Sequence, residues 1–521
     1  MRVNLSELVS EAARDVPEAV ALVETRAERR EVTWAELDRG ADTIARGLLG
    51  RGLVAGARVA VVMANRADLP IAYFGILRGG MVAVPVNPRS TAREIGRMLL
   101  DSGARVVLCD EHGIDQLRTA LAEVDHQVDV VVDGAEAATG ETTFADFLDQ
   151  APATAPAAPR DPEATAVILY TSGTSGRPRG AMLSHRALLA NIEQTAAIEP
   201  PPVAADDVVL GLLPMFHVYG LNAVLGQAVR QRARAVLVER FDPVALLELV
   251  RAEGVTNLAL APPVIAAWAG RPELREALRD VRTVLSGASA LDPDLAAAFE
   301  DSSGHVVEQG YGFTEAAPVV TATLATDRPE GERPPPHSVG SPLPGVEVQV
   351  LDAAERVSQD PAQIWVRGDN LFSGYWPDRA DGPRADGWYP TGDVGYLTDA
   401  GELVLVDRLK ELVIVSGFNV YPAEVEIAIG EVAGVDQAAV VGIPDEETGE
   451  AVLAFVVPER GQDPAVLEAA VHEAAAERLA RFKRPSRIVV VDDLPYSATG
   501  KVAKGRLRAL ARRDVLGLDP A

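Results

Sequence analysis

Short apolar runs alternate with longer amphipathic stretches along most of the chain. Between residues 58 and 109, apolar runs at 58–63, 81–86 and 105–109 are separated by stretches at 67–77 and 91–100 in which apolar residues recur at helical spacing. The runs are predicted strands and the stretches are predicted helices. Apolar strands joined by helices are typical of βαβ units, in which a parallel sheet is covered on both faces. The pattern therefore predicts an α/β fold.

The alternation continues beyond residue 109 and changes character only near the end of the chain. Further strands are predicted at 165–169, 207–213, 235–239, 257–262, 283–285 and 305–309, with helices at 183–193 and 243–251. Roughly the last hundred residues combine predicted helices at 423–429 and 465–479 with predicted strands at 437–441, 451–457 and 487–491, as in a small α+β domain. A chain of 521 residues exceeds one ordinary core, so we expect a large N-terminal domain and a small C-terminal one.

Composition excludes several classes of function. The formal net charge is −27 and no basic cluster is long enough to form a nucleic-acid patch, which argues against nucleic-acid binding. Residues 1–20 lack the apolar core of a secretory signal, and no run reaches membrane-spanning length. Cys109 is the only cysteine, so intrachain disulfides and thiolate metal clusters are excluded, and we interpret it as a buried small hydrophobe. A cytoplasmic protein is expected.

Lysine is scarce in this chain. Only Lys410, Lys483, Lys501 and Lys504 occur among 49 basic residues, all in the last quarter. An ammonium is compact and mobile whereas a guanidinium is a planar fork, so the retained lysines are candidates for roles that arginine cannot fill.

A loop rich in small residues follows the predicted strand at 165–169. It contains a candidate phosphate-binding set, and small residues let backbone N–H groups approach phosphate oxygens closely: Thr171, Ser172, Gly173, Thr174, Ser175, Gly176 and Arg179. The P-loop signature Gly-x4-Gly-Lys-Ser/Thr is absent from the chain. Taken alone, a loop of this kind is more often a plain flexible connection.

Together with later motifs, the segment 170–180 resembles the phosphate-binding signature of the adenylate-forming superfamily, which comprises acyl- and aryl-CoA synthetases, luciferases and peptide-synthetase adenylation domains. The later motifs follow in the family order at 214–217, 286–290, 310–315, 388–393, 406–412, 413–422 and 494–501. The resemblance covers nearly the whole chain. The sequence of residues 416–422 is most similar to that of bacterial fatty acyl-CoA ligases.

The resemblance implies a role for each matching residue. Lys501, Glu315, His217 and Thr171 are the implied catalytic residues, with Glu315 as the Mg²⁺ ligand. The implied nucleotide and CoA contacts are Gly287, Ala288, Gly310, Tyr311, Gly312, Thr314, Asp393, Arg408, Ser416, Gly417 and Phe418. Lys410 would be the hinge, with residues 1–407 as the adenylation domain, 408–410 as the hinge segment and 411–521 as a mobile lid domain. The alternatives are a structural histidine at 217, an aspartate in a glycine turn at 393 and a solvated surface lysine at 501.

The implied activity is an acid–CoA ligase that uses ATP, Mg²⁺ and CoA. Arg179 stands where the family usually has lysine and Ser175 where threonine is usual, and we expect these changes to alter nucleotide affinity only. The alternatives are an acyl-AMP ligase that loads a carrier protein, an aryl-CoA ligase, or a nucleotide- or acyl-binding module without catalytic activity. The partners expected are small molecules, with no nucleic acid and no integral membrane segment, and a homodimer is left open.

The segment after Glu315 suggests the class of acid. Ala316, Ala317, Val319 and Val320 follow it directly, and the next basic residue is Arg328. A second carboxylate would find no partner there, and burying an unpaired charge is costly. We therefore expect dicarboxylates to be poor substrates and, from the resemblance, a medium- to long-chain fatty acid to be preferred.

Overall fold

The computed structural model describes residues 2–25, 29–154, 160–171, 178–328, 334–335, 337–408, 411–415, 418–445, 448–496 and 502–515. The chain packs as two units. The larger contains residues 1–348 and 366–389, and the smaller contains residues 349–365 and 390–521. The predicted domain boundary at residues 407 and 408 falls inside the smaller unit and stays a prediction. Within the described residues, no helix has the length and apolarity needed to cross a membrane.

Most predicted strands form within one to three residues of their expected ends. The strands of the first 342 residues are β1 (Val20–Thr25), β2 (Arg29–Thr33), β3 (Arg58–Val62), β4 (Val82–Pro85), β5 (Val106–Asp110), β6 (Asp129–Asp133), β7 (Thr142–Thr143), β8 (Thr165–Thr171), β9 (Arg179–Ser184), β10 (Val208–Gly211), β11 (Arg234–Leu237), β12 (Asn257–Leu260), β13 (Thr283–Ser286), β14 (Val307–Gly312), β15 (Val319–Ala322) and β16 (Ser341–Pro342). The remaining strands are β17 (Val346–Leu351), β18 (Ala362–Gly368), β19 (Trp388–Leu397), β20 (Leu403–Arg408), β21 (Val413–Val415), β22 (Phe418–Val420), β23 (Val435–Asp445), β24 (Gly449–Pro458) and β25 (Arg487–Val490).

The helices follow the amphipathic stretches. They are α1 (Glu7–Asp15), α2 (Trp34–Gly50), α3 (Asp68–Arg78), α4 (Ala92–Ser102), α5 (Ile114–Leu121), α6 (Phe144–Asp149), α7 (His185–Ala196), α8 (Gln227–Gln231), α9 (Pro243–Ala252), α10 (Pro262–Trp268), α11 (Leu274–Ala277), α12 (Pro293–Ser303), α13 (Pro422–Gly430), α14 (Pro464–Arg478) and α15 (Lys504–Val515). A π-helical segment spans Tyr219–Gly226.

Local sequence explains where several helices begin. Thr33 and Thr91 each form a capping box with the glutamate three residues on, at the starts of α2 and α4. Helices α9, α12 and α14 each begin with Asp-Pro, in which the aspartate accepts two backbone N–H bonds and the proline occupies the first helical position.

Two sheets of largely parallel strands form the larger unit, as predicted. One has seven strands in the order β7-β6-β5-β3-β4-β8-β9, and the other has nine in the order β16-β15-β14-β13-β12-β10-β11-β1-β2. Antiparallel pairs occur only at the sheet edges among the described pairings of these sheets: β8 with β9, β1 with β2, and β14 to β16. Cys109 is fully buried in β5, which confirms its interpretation as a core residue, and burial raises the pKa of its thiol.

The later strands form two smaller sheets. Strands β17 to β20 form a four-stranded sheet in chain order. Strands β21 to β25 form a five-stranded sheet in the order β22-β21-β24-β23, with β25 paired to β24. Together with α13, α14 and α15 the five-stranded sheet confirms the α+β character expected for the C-terminal region.

Two predictions about strands near the site were incomplete. The helix expected from residue 183 begins at His185, because residues 179–184 form strand β9 against β8. The strand expected to end at residue 309 continues to Gly312, because β15 pairs with it through Gly310, Tyr311 and Gly312. In both cases a neighbouring strand extends the pairing beyond the apolar run.

Candidate active site

The phosphate-binding segment connects two antiparallel strands. Thr171, the last residue of β8, lies opposite Arg179, the first residue of β9. The Thr171 hydroxyl is 3.5 Å from the Arg179 carbonyl oxygen. The connection is thus a hairpin whose two ends are described. Five predicted residues, Ser172, Gly173, Thr174, Ser175 and Gly176, lie outside the described residues and their roles stay predictions.

Arg179 contacts two side chains from a distant part of the chain. Its Nη2 lies 2.7 Å from Asp381 Oδ2, and its guanidinium carbon lies 3.7 Å from the centre of the Tyr375 ring. A guanidinium above an aromatic face is attracted to the electron-rich ring. The side chain of Asp381 is 70% exposed, so the ion pair contributes little stability and leaves Arg179 able to change partners.

Glu315 lies in a one-turn helix, Thr314–Ala316, directly after β14. Its carboxylate Oε1 accepts a hydrogen bond from the Tyr375 hydroxyl, and its carbonyl oxygen accepts one from the Phe372 N–H at 2.8 Å. A carboxylate has about four lone-pair sites, and a phenol occupies only one of them. Mg²⁺ bound together with a nucleotide typically uses one or two protein carboxylates and phosphate oxygens. The donor chemistry of Glu315 fits this kind of metal site.

An aromatic cluster surrounds Glu315. The Phe372 ring packs edge-on against both Tyr375, at 5.1 Å, and Tyr389, at 5.2 Å, and Phe313 stacks on Tyr389 at 6.0 Å. Burial raises the pKa of Tyr375 and of Tyr389 well above the ordinary value, and the negative charge of Glu315 raises both further. Both phenols therefore stay protonated at neutral pH, so that Tyr375 can donate its hydrogen bond to Glu315.

The glycine-rich segment before Glu315 is tightly packed. A Cβ at Gly312 would lie 2.1 Å from the Pro318 carbonyl oxygen, so this position excludes side chains. Tyr311 is 8% exposed and its ring contacts Phe313 at 5.8 Å. Its predicted stacking against a purine stays a prediction, as do the nucleotide contacts of Gly310 and Thr314.

Gly287, one of the implied nucleotide and CoA contacts, lies directly after β13. A Cβ there would lie 2.6 Å from the Tyr219 ring, so glycine lets this ring approach the backbone. Ala288 follows in the left-handed region, with φ 72°. Among the described residues the buried Ser286 hydroxyl has no hydrogen-bond partner, so a polar group is available beside Gly287.

His217 lies at the entrance to the π-helical segment. Its backbone N–H donates to the Pro214 carbonyl at 3.1 Å, and its carbonyl accepts from the Leu221 N–H at 2.9 Å. Its half-buried ring packs against Phe216 at 4.7 Å. Gly220 in this segment is closely packed, because a Cβ there would lie 2.4 Å from the Pro214 carbonyl oxygen. The catalytic role of His217 stays a prediction.

Three buried asparagines that sequence reasoning missed fix the segment after Glu315. Asn370 donates to the Ala316 carbonyl at 2.8 Å and Asn222 to the Ala317 carbonyl at 2.7 Å, while Asn191 both donates to and accepts from the backbone of Val319. All three are at most 1% exposed. The position of Asn191 within the apolar run 187–192 of α7 is the one signal that could have indicated it.

The other predicted residues lie in the smaller unit. Asp393, in β19, lies opposite Arg408 in β20, and its N–H donates to the Thr391 hydroxyl at 3.1 Å. Phe418 is 56% exposed and stacks on Phe482 at 4.7 Å. Lys410, Ser416, Gly417 and Lys501, together with the side chain of Arg408, lie outside the described residues, so their predicted roles remain untested.

The smaller unit also contains a partly buried ammonium among carboxylates. Lys504 Nζ lies 2.8 Å from Glu426 Oε1 and 3.2 Å from Glu411 Oε2. Burial alone would lower the pKa of Lys504, but the charges of Glu426 and Glu411 outweigh it and the pKa is raised. Lysine scarcity singled out Lys504, and nothing in the sequence indicated its partners.

The layered parallel sheets, the smaller α+β unit and the Glu315 site define an adenylate-forming enzyme. Among solved structures, ATP-bound MatB from Rhodopseudomonas palustris has this fold, with a TM-score of 0.87 and 31% identity over 98% of this chain and 99% of that chain.

The chain belongs to the family of AMP-binding enzymes. The family model for the AMP-binding enzyme matches residues 9–376, and the model for its C-terminal domain matches residues 424–501. A 4-coumarate–CoA ligase-like protein of Oryza sativa subsp. japonica is 34% identical, over 97% of this chain and 92% of its own length. A long-chain-fatty-acid–CoA ligase of Bacillus subtilis is 30% identical, over 97% and 94%. These findings confirm the superfamily that the motifs indicated.

Proposed function

We propose that this protein is an ATP- and Mg²⁺-dependent acid–CoA ligase that releases AMP and pyrophosphate. The observation that carries the proposal is the Glu315 site, in which a neutral phenol donates a hydrogen bond to a carboxylate while Arg179, at the end of the phosphate hairpin, lies over the face of the same phenol ring. Similarity to two kinds of acid–CoA ligase over nearly the whole chain supports the same activity.

The first half-reaction joins two anions. An oxygen of the acid attacks the α-phosphorus of ATP, and the bond from that phosphorus to pyrophosphate breaks. The enzyme must therefore position both reactants and supply positive charge. Mg²⁺ bound with the nucleotide, with Glu315 as its ligand, would neutralise part of the phosphate charge. We assign the remaining charge to Arg179 and Lys501, with Lys501 between the carboxylate and the α-phosphate.

The second half-reaction transfers the acyl group. The CoA sulfur attacks the acyl carbonyl carbon and AMP leaves. Because acyl adenylates hydrolyse, water must be excluded until the thiol arrives. We assign this change to rotation of residues 411–521 about Lys410, which would remove Lys501 and bring residues 416–419 to the thiol.

We propose an apolar monocarboxylic acid as the substrate, with a medium- to long-chain fatty acid as the first candidate. Ala316, Ala317 and Val320 are buried, and the next basic residue after Glu315 is Arg328, so a second carboxylate would lack a partner. An aryl acid is the second candidate, because several relatives are 4-coumarate–CoA ligases and because the Tyr219 ring packs against Gly287.

A panel of acids tests both the proposed ligase activity and the proposed class of substrate. Pyrophosphate release and CoA consumption are measured with straight-chain acids from acetate to palmitate, with cinnamate and with a dicarboxylate. Each buried CH₂ contributes about 0.8 kcal/mol, so kcat/KM should rise about fourfold per methylene until the pocket is full. A maximum at cinnamate selects the aryl acid, and a maximum at acetate or a dicarboxylate rejects both candidates.

The panel also separates the other possible functions. Pyrophosphate release without CoA consumption would indicate transfer to another acceptor, such as a carrier protein. No release with any acid would indicate a catalytically silent binding module.

The Lys501→Ala variant tests the two half-reactions separately. It should slow adenylation about a hundredfold or more while sparing the conversion of supplied acyl adenylate to acyl-CoA, since only the first step opposes two anions.

A further inference from the structure

Arg179 departs from the family pattern at a position where lysine is usual. If its role were only to place positive charge near phosphate, lysine would serve as well. The contacts of Arg179 are of a kind that depends on a planar guanidinium, because it lies 3.7 Å from the centre of the Tyr375 ring while it pairs with Asp381.

The hydroxyl of the same ring binds the candidate metal ligand. Tyr375 donates its hydrogen bond to Glu315 Oε1, and its ring is held edge-on by the fully buried Phe372. The Tyr375 phenol is therefore contacted by residues from three places in the chain: β9, the loop after β18 and the turn after β14. Each of these contacts lies within the larger unit.

We propose that Tyr375 is a positioning residue that couples Arg179 to Glu315, so that the arginine orients the metal-binding carboxylate through the phenol ring. Arg179 holds the face of the ring, the ring fixes the direction of the hydroxyl, and the hydroxyl orients the carboxylate. A lysine at 179 would keep the charge but lose the planar stacking. The inference rests on the proposed function only in taking Glu315 as a ligand of nucleotide-bound metal.

Binding of ATP in the absence of any acid tests the coupling without turnover. Dissociation constants are measured by calorimetry for Mn²⁺ with ATP and for ATP in EDTA. Tyr375→Phe should weaken Mn²⁺–ATP binding about tenfold, as expected for loss of a hydrogen bond to a charged group. Arg179→Lys should weaken it about fivefold, as expected for loss of a partly buried cation–π contact. Binding of ATP in EDTA should change less than twofold in both variants.

The double variant provides the decisive measurement. If Arg179 acts through Tyr375, Arg179→Lys should add nothing to Tyr375→Phe, so the double variant should remain about tenfold weaker than wild type rather than about fiftyfold. Arg51→Lys is the matched control, because Arg51 lies over the Phe147 ring at 5.0 Å in another part of the unit, and it should bind as wild type does.

Three outcomes would overturn the coupling. The first is wild-type binding of Mn²⁺–ATP by Arg179→Lys, and the second is single effects that multiply in the double variant. The third is an equal loss of metal-free ATP binding in both variants, as a direct phosphate contact would require. Failure of the assumption that Glu315 binds metal looks different, because Glu315→Gln would then bind Mn²⁺–ATP as tightly as wild type does. Melting temperatures are measured for all variants, and unchanged values would show that the comparison concerns folded protein.

Discussion

Glu315 in the larger unit and Glu426 in the smaller unit are held by partners of different charge. Glu315 accepts a hydrogen bond from a phenol, whereas Glu426 lies 2.8 Å from the ammonium of Lys504. A phenol orients a carboxylate without neutralising it, whereas an ammonium also cancels its charge. The first arrangement leaves negative charge available for a bound cation, and the second uses it to stabilise the fold.

In our proposal the same residue type thus serves binding in one unit and structure in the other. Carboxylates are common along this acidic chain, so their number indicates little about function. The charge of the partner and the burial of the pair distinguish the two uses, and both follow from the tertiary structure. The predictions below test whether the charge of the partner and the burial of the pair distinguish a carboxylate that binds a cation from one that stabilises the fold.

Removal of the Glu315 charge should have the largest effect. Glu315→Gln keeps the shape and an acceptor for Tyr375 but loses the charge that would bind metal, so adenylation should slow on the order of a thousandfold, or about 4 kcal/mol. Acid-dependent exchange of pyrophosphate into ATP measures it. Glu347→Gln is the control, because Glu347 forms an exposed pair with Arg367 and its loss should leave the exchange unchanged. Equal rates for Glu315→Gln and wild type would remove Glu315 from the site.

Removal of the Lys504 charge should destabilise the smaller unit. Lys504→Met leaves Glu426 and Glu411 without their cation, at a cost of about 3 kcal/mol. Amide hydrogen exchange in α13, which carries Glu426, should accelerate about a hundredfold.

Two variants sharpen this test. Lys504→Arg should retain most of the protection in α13, because the charge remains. Lys483→Met removes a more exposed ammonium, 2.6 Å from Glu424 in the same helix, and should cost less than about 1 kcal/mol. Equal losses in Lys504→Met and Lys483→Met would show that burial does not distinguish these pairs.

His185 extends the comparison to a group whose partner is neutral. Its Nδ1 accepts a hydrogen bond from the Leu5 N–H at 3.2 Å, and burial lowers its pKa to about 4. The unfolded chain, with a pKa near 6.5, binds the proton more readily, so the free energy of unfolding should decrease as pH falls from about 6.5 towards 4. Between pH 7 and pH 5.5 the loss should be about 1 kcal/mol.

Denaturant unfolding at the two pH values measures this loss. His185→Gln cannot ionise and should lose about 1 kcal/mol less than wild type over the interval. His472→Gln, at an exposed position of α14, is the matched control and should follow wild type. The same pH dependence in all three proteins would assign the loss to other groups.

Local sequence was enough to predict most of the secondary structure and the order of the motifs. Helices and strands follow from the spacing of apolar residues over a few turns, and caps such as Asp242-Pro243 are encoded within three residues. The family motifs are also local in sequence, which is why Glu315, Asp393 and the ends of the phosphate hairpin could be named in advance. Their chemical type was readable without knowledge of the fold.

Only the tertiary structure decided which side chains surround the site. Tyr375 is 60 residues from Glu315, Asp381 is 202 residues from Arg179, and Asn370 is 54 residues from Ala316. No periodicity links positions so far apart, because their approach depends on how the sheets and the loop after β18 pack together. For the same reason the sequence could not indicate that β9 pairs with β8, or that a phenol rather than a cation holds Glu315.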